Sequence, residues 1–467
     1  MTNPTYPVAD FMRDIGDVEV SDDPRIIRSK SRDRYGVSPL LRQMLKGKTA
    51  DVVVTPHTLD DVLAVARAAV RHRIPITPRG GGTANYGQSV PLRGGIMLDM
   101  TGYTGLVSLE PGRVRARAGT VIEDMEAAAR ETGWELRMHP TTKKEATIGG
   151  FVAGGSGGPG SVAYGQLQEP GNILTAQIVT MEDEPRVLEL EGPEAFRVYH
   201  TYGATGIVTE IEMPTAPAWD WWETIVAFPD YMDVLRFAFD MANAPGIVKK
   251  VMSVQEWPTP SRIAAFADLV PDGHSIVSTM IAPQSWAEFA AAAEARGGVI
   301  VCRSKVGEGP YGRPLTEFVF GHALLHVRKT DPRRSLIEGF LPGPDLPALV
   351  EKVRARVGSF GPMRLELLRT PEGIAGAGSP MFAFESQEQM AEMVRGMQEA
   401  GARVSNSHTS NVRGVGKKGL DASDDAFKRM VDPYSLLNPG RYEVDPASDE
   451  KFDLELPTNT WDERVAS

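Results

Sequence analysis

Apolar residues fall at helical spacing from Leu59 to Arg71, where Leu59, Val62, Leu63, Ala66 and Val70 recur on one face. Before them Val52-Val53-Val54 has strand character, and after them Ile74-Pro75-Ile76 reads as a short buried strand. This order predicts a β-α-β unit. It runs directly into Pro78-Arg-Gly-Gly-Gly-Thr-Ala-Asn-Tyr-Gly87. Adjacent glycines let successive backbone N–H groups turn inward and form a concavity suited to phosphate oxygens. A plain surface turn is the competing reading of that loop.

Strand patterns follow at Gly95 to Met100 and Val114 to Gly119, and a helix is predicted from Val121 to Thr132, capped by Thr120 and stopped by Gly133. A second glycine-rich stretch spans His139 to Gly165, with a helix start predicted at Thr147 to Val152. Strands are expected at 172–181, 187–190 and 204–213, and Pro214 and Pro217 mark a boundary.

Beyond Asp220 the pattern changes to strand-helix-strand units. Strands are predicted at 224–228, 248–254, 275–281, 299–303 and 335–340, and helices at 231–242, 286–296, 346–357 and 387–400, the last of the chain. That order predicts an antiparallel sheet backed by helices, with internal duplication. Pro39 to Leu45 is predicted helical, capped by Ser38. The expected division is an entry arm at 1–48, a binding domain at 49–217, a cap domain at 218–425 and a returning segment at 426–467.

Composition narrows the function classes. The 467 residues carry 61 acidic and 50 basic side chains, a formal net charge of -11 that argues against nucleic acid as a partner. Met1 to Gly16 lacks a secretory-signal pattern, and no apolar run reaches bilayer-spanning length. The single cysteine, Cys302, forms no internal disulfide and is expected as a buried thiol. A cytoplasmic location is the expectation. Gly-x-x-x-x-Gly-Lys-Ser/Thr is absent, and the first glycine loop lacks the Gly-x-Gly-x-x-Gly register with its following acid.

Taken together, Pro78 to Gly87, Ala146-Thr-Ile-Gly-Gly150, Tyr164-Gly165, Gly206-Ile-Val-Thr-Glu210 and Asp432 to Gly440 resemble flavoproteins of the vanillyl-alcohol-oxidase type, the p-cresol-methylhydroxylase superfamily. The resemblance implies an α+β fold: a two-subdomain FAD-binding domain plus a cap with an antiparallel sheet. It implies that Arg79, Gly80, Gly81, Gly82, Thr83 and Gly87 cradle the pyrophosphate. Pro140, Thr141, Thr147, Gly149, Gly150, Gly154, Ser161 and Tyr164 would line the cofactor further along. Gly206, Ile207 and Val208 would meet the adenine end, and Asn438 to Arg441 would return the tail to the ring. Thr83, Ala84 and Asn85 stand where some members carry a linking histidine, so non-covalent FAD is expected. The glycine-rich metal motif of the family's 2-hydroxy-acid dehydrogenases is not found, and no metal is expected.

The cap must then supply polar groups to the reaction. His322 and His326 in Glu317 to Arg328 share a face whether that segment is strand or helix. His408 and Arg413, in Asn406 to Arg413, are further candidates, with structural histidines or a solvated loop as the alternatives. Tyr311 and Arg313 are candidates for a pocket lip, and the tryptophans at 219, 221 and 222 for packing at the domain seam. The expected function is FAD-dependent oxidation of a small alcohol or hydroxy acid by hydride transfer, with oxygen or another carrier as acceptor and a homodimer as a possible assembly. Amine or aromatic side-chain oxidation, and non-catalytic nucleotide binding, are the alternatives.

Overall fold

A computed structural model describes residues 6–444. Residues 1–5 of the expected entry arm and 445–467 of the expected tail, including its acidic stretch, lie outside the described residues.

The first sheet contains β1 (Glu19–Ser21), β2 (Val52–Thr55), β3 (Ile76–Arg79) and β4 (Ile96–Asp99), in the order β1-β2-β4-β3. β2 and β3 both lie parallel to β4, which separates them. Helix Leu59–His72 crosses between β2 and β3 and buries Val62, Val65, Ala66 and Val70; Thr58 and Asp61 close a capping box at its start. β3 begins at Ile76 and continues through Pro78 and Arg79, two residues that sequence reading assigned to the loop.

The second sheet is antiparallel. It comprises β5 (Leu106–Glu110), β6 (Arg113–Arg117), β7 (Trp134–Leu136), β8 (Thr175–Val179), β9 (Val187–Glu191) and β10 (Ile207–Pro217), with β10 between β6 and β8. Two expectations are corrected here. Thr120 does not cap the helix Ile122–Glu131: Val121 holds that position, and the Thr120 hydroxyl bonds Gly105 instead. Pro214 does not end β10, which runs on to Pro217. The Thr215 N–H donates toward the β6 side, to Gly112, so an N–H at 214 would face the side where β8 has already ended. A proline there forfeits no ladder bond.

Beyond β10 come β11 (Trp222–Phe228), β12 (Lys249–Gln255), β13 (Ser275–Ile281), β14 (Val299–Lys305), a short β15 (Arg334–Ser335), β16 (Glu338–Leu341), β17 (Met363–Thr370), β18 (Gly373–Pro380), β19 (Phe382–Ala383) and β20 (Arg403–Ser405). β15 pairs only with β19. The others form one eight-stranded antiparallel sheet, β14-β11-β13-β12-β17-β18-β16-β20. Each half is a βαββαβ unit: helices Tyr231–Asn243 and Trp286–Ala295 serve the first, Leu346–Val357 and Gln387–Glu399 the second. β12 and β17 join the halves at Ser253 and Glu366. The hairpin β17-β18 was not foreseen, because Gly-Ile-Ala-Gly-Ala-Gly-Ser-Pro lacks strand chemistry. Nor is Gln387–Glu399 the last helix. Ala422–Val431 follows, capped by Asp421.

Alternation along β17 sorts its side chains by face. Met363, Leu365 and Leu367 join the core beneath the helices. Arg364, Glu366 and Leu368 face the other way, toward the first two sheets. The covered second face of this sheet is where the site forms.

Asn438 and Arg441 brace that arrangement from behind. Asn438 donates to the carbonyls of Gln88 and Tyr202, at 2.9 and 2.8 Å. Arg441, fully buried, donates to the carbonyls of Gly87, Val90 and Ser410. Replacing Arg441 by Met strands three acceptors, and is expected to destabilise the fold by about 3 kcal/mol or more. A lower urea midpoint would show it.

Candidate active site

A cavity of about 300 Å³ lies between the glycine loops and the β16-β17-β18 face of the cap. Gly80, Gly81, Gly82 and Thr83 form one wall, and Pro140, Thr141, Thr147, Gly149, Gly150, Gly154 and Ser161 another. At Gly80 and Gly81 the first loop brings no side chain to its contact with the second. A Cβ at Gly80 would lie 2.0 Å from Thr147 Oγ1, and one at Gly81 would lie 1.9 Å from the Glu145 carbonyl oxygen. Thr147 caps the short helix Ile148–Gly154 through the Gly150 N–H.

The donors of the first loop are unspent. Among the described residues, no backbone N–H from Gly80 to Gly87 donates to another group of the protein. Buried polar side-chain atoms without a partner also gather at this cavity: Ser89 Oγ, Gln166 Oε1, His200 Nε2, Tyr202 OH, His322 Nε2, Arg364 Nε and Glu366 Oε2. Buried polar groups are ordinarily paired, so this concentration marks a site for a large polar ligand.

The cap contributes charge. Glu366 Oε1 accepts from Ser253 Oγ (2.9 Å), the Phe320 N–H (2.7 Å) and Arg364 Nη1 (3.0 Å). Burial pushes the Glu366 carboxyl up to about 7, although Arg364 beside it works the other way. Glu338 accepts from the Tyr86 hydroxyl and lies 3.6 Å from Lys417 Nζ. This contact ties the first loop to the cap. His200 Nδ1 donates to the Gly154 carbonyl at 2.7 Å, and burial depresses its pKa to about 3, so the imidazole stays neutral.

The expected catalytic residues separate. His322 stands at the cavity, on helix Gly321–Val327. His326, on the same helix, does not line it; its Nε2 donates to the Glu317 carbonyl at 3.1 Å and its ring packs on Phe318. His408 is buried away from the cavity, with Nε2 donating to the Leu336 carbonyl and Nδ1 accepting from Ser38. Burial lowers it to about 4. Arg413 pairs with Asp425. Both His408 and Arg413 are joints between segments rather than cavity groups. Tyr311 packs against Phe266 and Phe318 and is not a lip. Trp221 donates to Glu135 across the seam.

Residues 50–187 match the model of a family described as an FAD binding domain. The chain is 22% identical over 447 residues to glycolate oxidase subunit GlcD of Bacillus subtilis, spanning 87% of this chain and 91% of that protein. Residues 50–187 are an FAD-binding domain. The chain is 30% identical over 160 residues to D-2-hydroxyglutarate dehydrogenase of Escherichia coli, matching only 14% of that protein's length. Against D-lactate dehydrogenase of Anaerostipes hadrus the figures are 27% over 180 residues and 37% of its length. A solved structure of alkyldihydroxyacetonephosphate synthase shares the fold, with a TM-score of 0.68 over 94% of this chain and 85% of that one, at 16% identity.

This flavoprotein is an FAD-dependent oxidoreductase. Its unspent loop donors and the glycines at the seam fit a diphosphate. Among the expected cofactor residues, Arg79 and Val208 also line the cavity, while Gly87, Tyr164, Gly206, Ile207, Asn438 and Arg441 do not. Gly87 instead gives its carbonyl to Arg441. Tyr164 is partly exposed beneath Arg137. The sequence reading missed Tyr86, His200, Glu338, Arg364, Glu366 and Lys417. Two of these carried a signal in principle: Arg364 and Glu366 alternate with leucines in Met363 to Leu368. Among the described residues, no helix is long and apolar enough to cross a membrane.

Proposed function

We propose that this protein oxidises a small 2-hydroxy acid to the corresponding 2-oxo acid, with FAD held non-covalently in the cavity and oxygen or another carrier as the final acceptor. The observation that carries the reading is one pair of buried, unpartnered atoms on neighbouring cavity-facing side chains of β17: Arg364 Nε, a donor, and Glu366 Oε2, an acceptor. A carboxylate with an adjacent hydroxyl answers both. A neutral alcohol leaves Arg364 Nε without a charged acceptor, and an amine would bring its positive charge toward Arg364. The names of the relatives, which mention glycolate, D-lactate and D-2-hydroxyglutarate, support the same class.

Gly80 to Gly87 would hold the diphosphate, and the loop from Pro140 to Ser161 would border the flat ring. When bound, FAD supplies the oxidant, taking a hydride at N5 from the carbon that bears the hydroxyl. The chain's own residues do the rest. Arg364 binds and orients the carboxylate through charge-assisted hydrogen bonds. The Tyr86–Glu338–Lys417 contact holds the glycine loop against the cap and keeps water from the reacting face. His322 offers a second polar group on the same wall.

The division into a binding domain at 49–217 and a cap at 218–425 is part of this proposal, since the cavity lies where the two meet. A stopped-flow screen of bound-flavin bleaching against 2-hydroxy acids, neutral alcohols and amines tests the reading. Fast bleaching by a 2-hydroxy acid, with its uncharged alcohol analogue at least tenfold slower, is the expected result. Preference for an amine or a neutral alcohol would refute it.

A further inference from the structure

We propose that Glu366 is the group that receives the proton of the substrate's hydroxyl; this rests on the 2-hydroxy-acid reading of the same cavity. Among the polar side chains on the cap wall, Glu366 is the one whose orientation is fixed three times over. Its Oε1 accepts from a side chain of the neighbouring strand β12, from the guanidinium two residues earlier on β17, and from the backbone of Phe320.

The last contact is held in a costly conformation. Phe320 has φ 52°, left-handed backbone in a residue with a large side chain. Such strain costs about 1–3 kcal/mol and persists where the surroundings over-determine it. Here it directs one N–H at one carboxylate oxygen. With Oε1 occupied, Oε2 is left as a buried acceptor without a protein partner.

Its neighbour decides what it meets. Arg364 and Glu366 share one face of the strand, and the guanidinium meets Glu366 Oε1 at 3.0 Å, so the two head groups adjoin. A carboxylate bound at the guanidinium therefore places the hydroxyl of the next carbon beside Oε2. In the step, the hydroxyl O–H breaks and Oε2–H forms. The pair left on oxygen becomes the second carbon–oxygen bond, while the hydrogen on that carbon leaves with its pair to the oxidised flavin.

His322, the base suggested by the sequence, is placed differently. It follows Phe320 by two residues and lines the same cavity, but burial lowers its proton affinity, and its coulombic neighbours include Arg34 and His326 as well as Glu317. The Glu366 carboxyl, raised to about 7 by burial, is matched to proton transfer near neutrality.

Two inert ligands test this without turnover. 2-Hydroxyisobutyrate carries the carboxylate and hydroxyl but has no hydrogen on the hydroxyl-bearing carbon; isobutyrate lacks the hydroxyl. Both are titrated into the FAD-loaded protein, read by flavin absorbance and calorimetry at pH 6 and pH 8. At pH 8 the parent should bind the hydroxylated acid about 10- to 100-fold more tightly, as a hydrogen bond to a charged acceptor allows. At pH 6, with Glu366 protonated, the gap should shrink. In Glu366→Gln the three donors hold the amide oxygen and turn the NH2 to the hydroxyl oxygen, a neutral hydrogen bond, so the gap should fall to a few-fold and lose its pH dependence while flavin content stays at parent level. If the parent binds both acids equally, if its gap ignores pH, or if Glu366→Gln keeps the parent's gap, the assignment of Glu366 is overturned. If the parent binds neither acid, the 2-hydroxy-acid reading itself falls, and this inference with it.

Discussion

Gly81→Ala is expected to give a folded chain that loses most of its FAD. The added methyl would lie 1.9 Å from the carbonyl oxygen of Glu145 and 2.8 Å from its carbon, and both atoms are backbone. No rotamer relieves that overlap; the two loops must part, and the concavity opens with them. Overpacking of this kind costs about 1–3 kcal/mol, roughly 5- to 150-fold in cofactor affinity. Gly246→Ala is the matched control, since a Cβ there meets nothing within 4 Å. The ratio of visible to ultraviolet absorbance after native purification compares the two. Equal flavin content would show that the seam does not shape the cofactor site.

Arg364→Ala should affect substrate as strongly as Gly81→Ala affects cofactor. Losing one member of a buried, hydrogen-bonded charge pair costs about 2–5 kcal/mol, so kcat/KM for a 2-hydroxy acid should fall roughly 30- to several-thousand-fold. FAD content should hold. Arg364→Lys should recover part of the loss, because an ammonium keeps the charge but not the forked geometry. A neutral alcohol assayed beside the acid separates the roles: its rate should change far less. An equal loss on both substrates would assign Arg364 to the architecture of the wall rather than to the carboxylate.

The binding half of this molecule was legible because its chemistry is local. Three adjacent glycines after a β-α-β pattern announce a backbone cradle, and the second glycine stretch closes on the first through the contacts of Gly80 and Gly81. The duplicated strand-helix order likewise announced the eight-stranded antiparallel sheet. What stayed hidden depends on distant segments. In Met363-Arg-Leu-Glu-Leu-Leu, Arg364 and Glu366 look like the solvated side of an ordinary half-buried strand. They become part of a cavity wall only because the glycine loops cover that side. His408 shows the converse. Its polar neighbours suggested a site, but Ser38, 370 residues earlier, folds back onto its ring and makes it structural. Arg413 fails for a related reason, since its partner Asp425 sits on the helix Ala422–Val431, which the sequence reading took for part of a loop and tail.

The proposed chemistry depends on one FAD lying between the glycine loops and the cap, and flavin stoichiometry tests this most directly. The natively purified protein is precipitated with acid, and flavin is measured in supernatant and pellet against protein concentration. One FAD per chain, released to the supernatant, is the predicted result. A colourless protein that takes up no added FAD would contradict it.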